Sequence, residues 1–357
     1  MEYNDRINKL KDKLVKENLG GMYITNLTNV RYLTGFTGSA GSLLILENEQ
    51  HFFTDGRYTS QCKKQIKNCQ VHIVGSTHYK YIADNKMLPS SLRIGFESDH
   101  MNVSTYLRLK ETMSNIQWVH VSGIIEKIAA VKDMLEIDSL KTAIEITDEV
   151  FKQIIPELKE GAVEQDIAAK ISYLFKMNGA EGDSYESIIG SGWLGALPHA
   201  RPTDKKFEKG DFVVMDFGAL YNGYHADMTR TVVIGEATDR HKEIYNIVLE
   251  SQLAGIRYAK AGVTGAEVDK ACRDVIIDAG YGDKFIHSTG HGIGLEVHTY
   301  PRISSLNTKP LLENYVVTIE PGIYLEGWGG VRIEDDCWIQ KNQCLPLNKS
   351  TKEMLVL

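Results

Sequence analysis

Apolar residues near the start of the chain recur at helical spacing. Ile7, Leu10, Leu14 and Val15 fall on one face of a helix over 4–18. Short β-prone runs follow at Gly21–Ile24, Ser42–Leu46, His51–Thr54, Val71–Val74, Arg93–Phe96 and Trp118–Val121. Strands alternating with helical stretches predict a mixed sheet covered by helices, an α/β domain over residues 1–125. From Ile124 to Phe151 the pattern is helical and charged, and is expected to carry the chain into a second domain, 126–357. Further helices are predicted over 164–178, 239–260 and 264–279, with Asn178-Gly179 and Gly280 as stop signals. Short β runs lie between and after these helices, so the second domain reads as α+β. Its halves, 150–240 and 241–357, each supply helices and a hairpin.

The clearest hairpin signal is Asn222-Gly223, which separates Phe212–Tyr221 from Tyr224–Ile234. Asn-Gly between β-prone runs favours a two-residue type I′ turn. That turn pairs Tyr221 with Tyr224, Gly218 with Asp227 and Asp216 with Thr229. Asp216 and Asp227 then become diagonal neighbours on one face, with Cα atoms ~7–8 Å apart. A one-residue slip would put them on opposite faces. Gly218, opposite Asp227, is expected to leave room for a ligand. The two aspartates alone fit a solvated hairpin equally well.

Polar chemistry gathers again further on. His287, His291 and His298 share a loop with Gly290, Gly292 and Gly294. Glycine lets backbone approach a ligand closely. This spacing is not the dinucleotide fingerprint, and no helix start follows it. Glu320 closes an apolar run and is followed by Pro321-Gly322, while Glu334 lies between Ile333 and Asp335. Pairing about a loop centred near Gly327 would set the two glutamates opposite each other, although the many glycines there do not fix the register. Asp216, Asp227, His291, Glu320 and Glu334 together would make an oxygen-rich nest for two divalent cations. So much buried negative charge needs a counter-charge.

Composition narrows the function classes. The chain has 357 residues, 43% hydrophobic and 24% charged, as in an ordinary globular protein. A net charge of −7 argues against a nucleic-acid surface. No apolar run approaches the ~18–20 residues of a membrane span, and the charged stretch from Met1 to Lys16 does not resemble a signal peptide. Five scattered cysteines suit free thiols in a reducing compartment, so a cytoplasmic location is expected.

The motifs Asp216-Phe-Gly, Ala226-Asp227-Met-Thr-Arg-Thr, Thr289-Gly-His291-Gly-Ile-Gly, Thr318-Ile-Glu320-Pro-Gly and Gly330-Val-Arg332-Ile-Glu334-Asp-Asp carry a family resemblance. Together they resemble the pita-bread metallopeptidases: methionine aminopeptidase, aminopeptidase P and prolidase. Asn29-Val-Arg31-Tyr-Leu-Thr-Gly35-Phe and Phe53-Thr-Asp55-Gly-Arg57-Tyr58 are similar to the N-terminal domain of aminopeptidase P, prolidase and creatinase. The resemblance implies a creatinase-like N-terminal domain on a pita-bread catalytic domain with pseudo-twofold halves. It implies two divalent ions, Mn²⁺ before Co²⁺ or Zn²⁺, with Asp227 and Glu334 bridging, Asp216 on one ion, and His291 with Glu320 on the other. Glu320 would also act as the proton shuttle. By the same resemblance His199 lines the substrate side, His298 stabilises the oxyanion, His287 binds substrate or supports the site, and Arg332 orients a carboxylate. Trp193, Tyr224 and His225 are candidates for the pocket wall.

The implied substrates are short proline-containing peptides, and a homodimer is expected. The leading expectation is an Xaa-Pro aminopeptidase, because no cation in the sequence is marked as holding a dipeptide's free carboxylate; Arg31 and Arg57 are possible sources of one. The alternative is a prolidase cutting dipeptides. A metal-free creatinase-like hydrolase, or a binding module on an inactive scaffold, would have lost ligand positions that this chain retains.

Overall fold

The computed structural model describes residues 3–357. The chain divides into two compact units, one ending at Ala129 and one beginning at Ala130. The first unit opens with α1 (Tyr3–Lys16), β1 (Gly21–Ile24), α2 (Leu27–Thr34), β2 (Ser42–Leu46), β3 (Gln50–Thr54) and α3 (Thr59–Gln65). It continues with β4 (Gln70–Ile73), α4 (His78–Asp84), β5 (Arg93–Glu97), α5 (Val103–Thr112), β6 (Gln117–Val121) and α6, which begins at Ile124 and runs to Ala130. The strands form one mixed sheet in the order β4-β3-β2-β1-β5-β6. Strand β1 is antiparallel to β2 and parallel to β5. The strand spacing of the sequence is thus reproduced.

Helix α1 differs from its expected face in one position. Ile7, Leu10 and Leu14 are buried, but Val15 is 71% exposed. At ~100° per residue Val15 lies past the buried stripe. Arg6, on the opposite edge of that stripe, is buried and donates to the carbonyl of Tyr32 at 2.8 Å.

The stretch expected to run as one helix from Ile124 breaks after Ala130. Asp133 caps the next helix, α7 (Met134–Ile154), and forms a capping box with Glu136. Then come α8 (Glu164–Met177), β7 (Gly182–Asp183), β8 (Ile188–Ser191), β9 (Phe212–Phe217), β10 (Ala219–Tyr221), β11 (Tyr224–His225) and β12 (Met228–Val233). The last part holds α9 (Asp239–Tyr258), α10 (Gly265–Asp278), β13 (Gly290–Gly292), β14 (Thr299–Ile303), β15 (Val316–Ile319) and β16 (Gly322–Leu325). It ends with β17 (Gly329–Arg332), β18 (Asp335–Ile339), β19 (Cys344–Pro346) and β20 (Leu355–Val356).

Each half of this unit packs two helices behind a sheet. Helices α7 and α8 share a core with Val213, Met215 and Phe217 of β9 and Met228 and Val232 of β12. Helices α9 and α10 share another with Val317 and Ile319 of β15 and Cys337 and Ile339 of β18. The sheets have the orders β20-β12-β9-β8 and β14-β13-β15-β18-β19. Side chains alternate along a strand. Burial of Met215 and Phe217 in the helix-facing core therefore turns Asp216 to the other face.

Candidate metal centre

Local turn chemistry brings the acidic residues together. Asn222 and Gly223 have φ of 48° and 74°, as a type I′ turn requires. Tyr221 pairs with Tyr224, and Asp216 pairs with Thr229, the register that the turn predicts. In the second hairpin Ile319 pairs with Asp335, and Gly322 with Arg332. These pairs bracket Glu320 and Glu334, which therefore lie opposite each other about Gly327. Strand β13 supplies His291 and pairs with both β14 and β15.

Two glycines are explained by backbone packing. A Cβ on Gly218 would lie 1.8 Å from the carbonyl oxygen of Ala226. Gly218 thus makes room for backbone, not for the ligand expected from sequence. A Cβ on Gly290 would lie 2.0 Å from the carbonyl oxygen of Thr318, so glycine is what lets the His291 strand meet β15.

Asp227, His291 and Glu334 are all buried, and each places a ligand atom within 4.8 Å of the others. His291 Nε2 lies 3.6 Å from Asp227 Oδ2 and 3.4 Å from Glu320 Oε1. Asp216 and Glu320 stand outside the closest trio, but both line the same cavity. Arg332 Nη2 donates to Asp216 Oδ2 at 2.6 Å. Thr318 Oγ1 donates to Glu320 at 3.1 Å and Thr229 Oγ1 to Glu334 at 2.7 Å.

Burial pushes the carboxyl groups of Asp227, Glu320 and Glu334 well above their ordinary range, and their mutual repulsion adds to it. Burial, then repulsion from His298, lowers His291 to about 3, so its imidazole is neutral with a free lone pair. Crowded acidic oxygens beside a neutral imidazole are short of positive charge. That donor set fits divalent cations of the Mn²⁺ type.

The cavity has a volume of about 570 Å³ and is also lined by His199, His287, His298 and Arg332. His298 stacks obliquely on His291, with ring centroids 4.3 Å apart. Burial lowers its pKa, and so does the charge of Arg302. His287 lies 2.8 Å from the carbonyl oxygen of Ser288 through Nδ1 and 2.8 Å from the hydroxyl of Tyr324 through Nε2. Arg332 also donates to Thr229 Oγ1 at 2.9 Å and to the Tyr324 hydroxyl at 2.9 Å. One guanidinium thus braces Asp216, the partner of Glu334 and the partner of His287.

The expected wall residues are elsewhere. Trp193 is 57% exposed and does not line the cavity. Tyr224 is buried and donates to Glu136 at 3.0 Å; His225 meets Ser184 Oγ at 2.9 Å. Tyr185 and Arg302 also line the cavity, although the sequence pattern marks neither as a site residue. The Tyr185 hydroxyl lies against carboxylate oxygens of both Asp216 and Asp227 and can donate to either. Arg302, on β14, pairs with His291 across the β13–β14 ladder. No spacing rule marks either residue, because both contacts come from tertiary placement.

Comparison with known proteins decides the family. Residues 138–341 match metallopeptidase family M24, and residues 6–131 match the creatinase/prolidase N-terminal domain. The chain belongs to metallopeptidase family M24. This M24 protein is 36% identical over 351 residues to a Xaa-Pro dipeptidase of Pyrococcus furiosus, covering 98% of this chain and 99% of the relative. Its structure matches a Xaa-Pro dipeptidase from Bacillus anthracis with TM-score 0.97 and 39% identity, over 100% of both chains. It matches an X-Pro aminopeptidase from Thermotoga maritima with TM-score 0.88 and 38% identity, over 96% of this chain and 99% of that one. The M24 chain thus has a creatinase-type N-terminal domain and a pita-bread catalytic domain, and it is a metallo-exopeptidase. Among the described residues no helix is long and apolar enough to cross a membrane.

Proposed function

We propose that this M24 enzyme hydrolyses the bond between an N-terminal residue and a following proline, and that dipeptides are its preferred substrates. The observation that carries the dipeptide reading is Arg302. It lines the cavity beside His291 and makes no ion pair among the described residues. Arg201, the other cavity arginine outside the ligand network, is already paired with Glu186 at 2.7 Å. A planar guanidinium without a partner suits the free carboxylate of a dipeptide's proline. The aminopeptidase expectation rested on the lack of such a cation. It remains the second reading, favoured by the likeness to the Thermotoga maritima aminopeptidase.

Asp216, Asp227, His291, Glu320 and Glu334 would hold two divalent ions, for which the oxygen-rich set favours Mn²⁺ over a thiolate-seeking metal. When bound, such ions polarise a carbonyl and make water acidic near neutral pH. The chain's own groups supply the rest. Glu320 takes a proton from the attacking water and passes it to the proline nitrogen as the C–N bond breaks. That nitrogen carries no proton in the substrate, since an Xaa-Pro bond is a tertiary amide. His298 donates to the scissile carbonyl oxygen as it gains charge. His199 orients the peptide on the open side, while His287, tied to Tyr324, keeps Arg332 in place.

The test is kcat/KM for Xaa-Pro beside Xaa-Pro-Yaa in the presence of Mn²⁺. We expect Arg302→Met to raise KM for the dipeptide by about 10–100-fold, the loss of a charged hydrogen bond, with little change for the tripeptide. Preference for the tripeptide in the unmodified enzyme would favour the aminopeptidase reading.

A further inference from the structure

Arg230, Asp335 and Asp336 belong to the ligand motifs, yet none of them lines the cavity. Arg230 and Asp335 form a fully buried ion pair at 2.7 Å. Arg230 Nη1 donates to the backbone carbonyl of Glu334 at 2.5 Å. Its other backbone hydrogen bonds reach the carbonyls of Thr229 at 2.9 Å, Thr351 at 2.9 Å and Ser350 at 3.0 Å. Lys352 Nζ closes the ring on Asp335 Oδ2 at 2.7 Å.

A parallel chain of contacts reaches Asp227. Its backbone N–H donates to Asp336 Oδ2 at 2.9 Å. This is the only hydrogen bond of the Asp336 side chain among the described residues, and Oδ1 is buried without a partner. A buried carboxylate with one unmatched oxygen is costly to fold. Its single bond holds the backbone of a metal ligand. Asp336 is in turn held by Asn348, whose Oδ1 accepts from the Asp336 N–H at 2.7 Å.

Both routes end in the same short segment, 348–352. That segment is anchored on two helices. Asp148 of α7 accepts from the N–H groups of Lys349 at 2.7 Å and Ser350 at 3.0 Å. The Tyr245 hydroxyl of α9 donates to the carbonyl of Lys352 at 3.0 Å.

We propose that residues 348–352 form a strap that positions Glu334 through Arg230 and Asp335, and Asp227 through Asp336. The proposal rests on the assignment of Asp227 and Glu334 as metal ligands. Arg230, Asp335, Asp336, Asn348 and Lys352 are positioning residues: they touch the backbone that carries the ligands and set where the ligand oxygens stand. A strap of this kind makes metal affinity depend on residues outside the cavity.

The test measures Mn²⁺ binding by calorimetry on full-length protein stripped with chelator, beside its melting temperature and circular dichroism. Lys352→Met and Asn348→Ala each remove one strap contact at the rim of the network. Each should weaken Mn²⁺ binding by about 10–100-fold, as lost supporting hydrogen bonds around metal ligands do. Lys352→Arg keeps the ion pair and should restore the affinity. If both variants melt earlier but bind Mn²⁺ within about twofold of the unmodified protein, the strap only stabilises the fold and the proposal is wrong. If one variant fails to fold, the other decides. If unmodified protein takes up no Mn²⁺, or Asp227→Ala takes up as much, the ligand assignment fails and the strap proposal falls with it.

Discussion

Arg332 and Asp216 form an ion pair of 2.6 Å, with the arginine side chain 4% exposed and the aspartate 13%. The same guanidinium reaches Thr229 and Tyr324, so its planar fork is used in several directions at once. A lysine cannot make that set of contacts. Arg332→Lys is therefore expected to behave as a severe change. Metal stoichiometry and kcat measured together should both fall, with kcat down by about tenfold or more. Unchanged values for both would mean that Arg332 does not orient Asp216.

The role proposed for His298 separates support of the carbonyl oxygen from metal binding. Its ring lies against His291 but belongs to no ligand trio. His298→Ala should retain its metal and lose kcat by ~10²–10³, the effect of removing one oxyanion donor. Elemental analysis beside turnover checks this. Metal lost in proportion to activity would make His298 a ligand instead.

Acid stability should depend on a histidine outside the cavity. His241 sits in the capping box of α9, with Nδ1 accepting from the Thr238 N–H at 3.1 Å and Nε2 against the Gly210 carbonyl at 3.0 Å. Burial holds its pKa below the ordinary histidine value of 6.5. The folded state thus resists a proton that the unfolded state accepts. Its contribution is fully present above pH ~6.5 and is lost as pH falls through the lower folded pKa. A glutamine at this helix position can keep the capping box without titrating. Melting temperature followed from neutral to acid pH should fall less steeply for His241→Gln than for the unmodified protein, whereas parallel curves would show that His241 does not contribute.

Legibility in the sequence followed the range of the interaction. Asn222-Gly223 fixed the register of Asp216 and Asp227 because turn type and strand alternation are local rules. The same holds for Glu320 and Glu334 about Gly327, once β15 and β18 pair. The break after α6 did carry a signal, since Asp133 and Glu136 have capping-box spacing, but the surrounding helical periodicity masked it. Val15 was misplaced because it lies at the margin of the apolar stripe. Tyr185 was not legible at all: Asp227 is 42 residues away, and nothing around Tyr185 shows which strand it will face. Arg302 became visible only through its pairing with His291, where the β13–β14 register shifts. Trp193, Tyr224 and His225 lie near ligand motifs in sequence but face elsewhere, so closeness along the chain misled.

The most direct test of the metal centre is Glu334→Ala. Glu334 is almost wholly buried, within 4.8 Å of the Asp227 and His291 ligand atoms, and stands opposite Glu320 in its hairpin. If it bridges two cations, as proposed, it should be indispensable to both. Mn²⁺ content and Xaa-Pro hydrolysis measured on the same purified sample should show about two ions per chain and turnover in the unmodified enzyme, and loss of both in Glu334→Ala with the fold retained by circular dichroism. Full hydrolysis by metal-free Glu334→Ala protein would contradict the account.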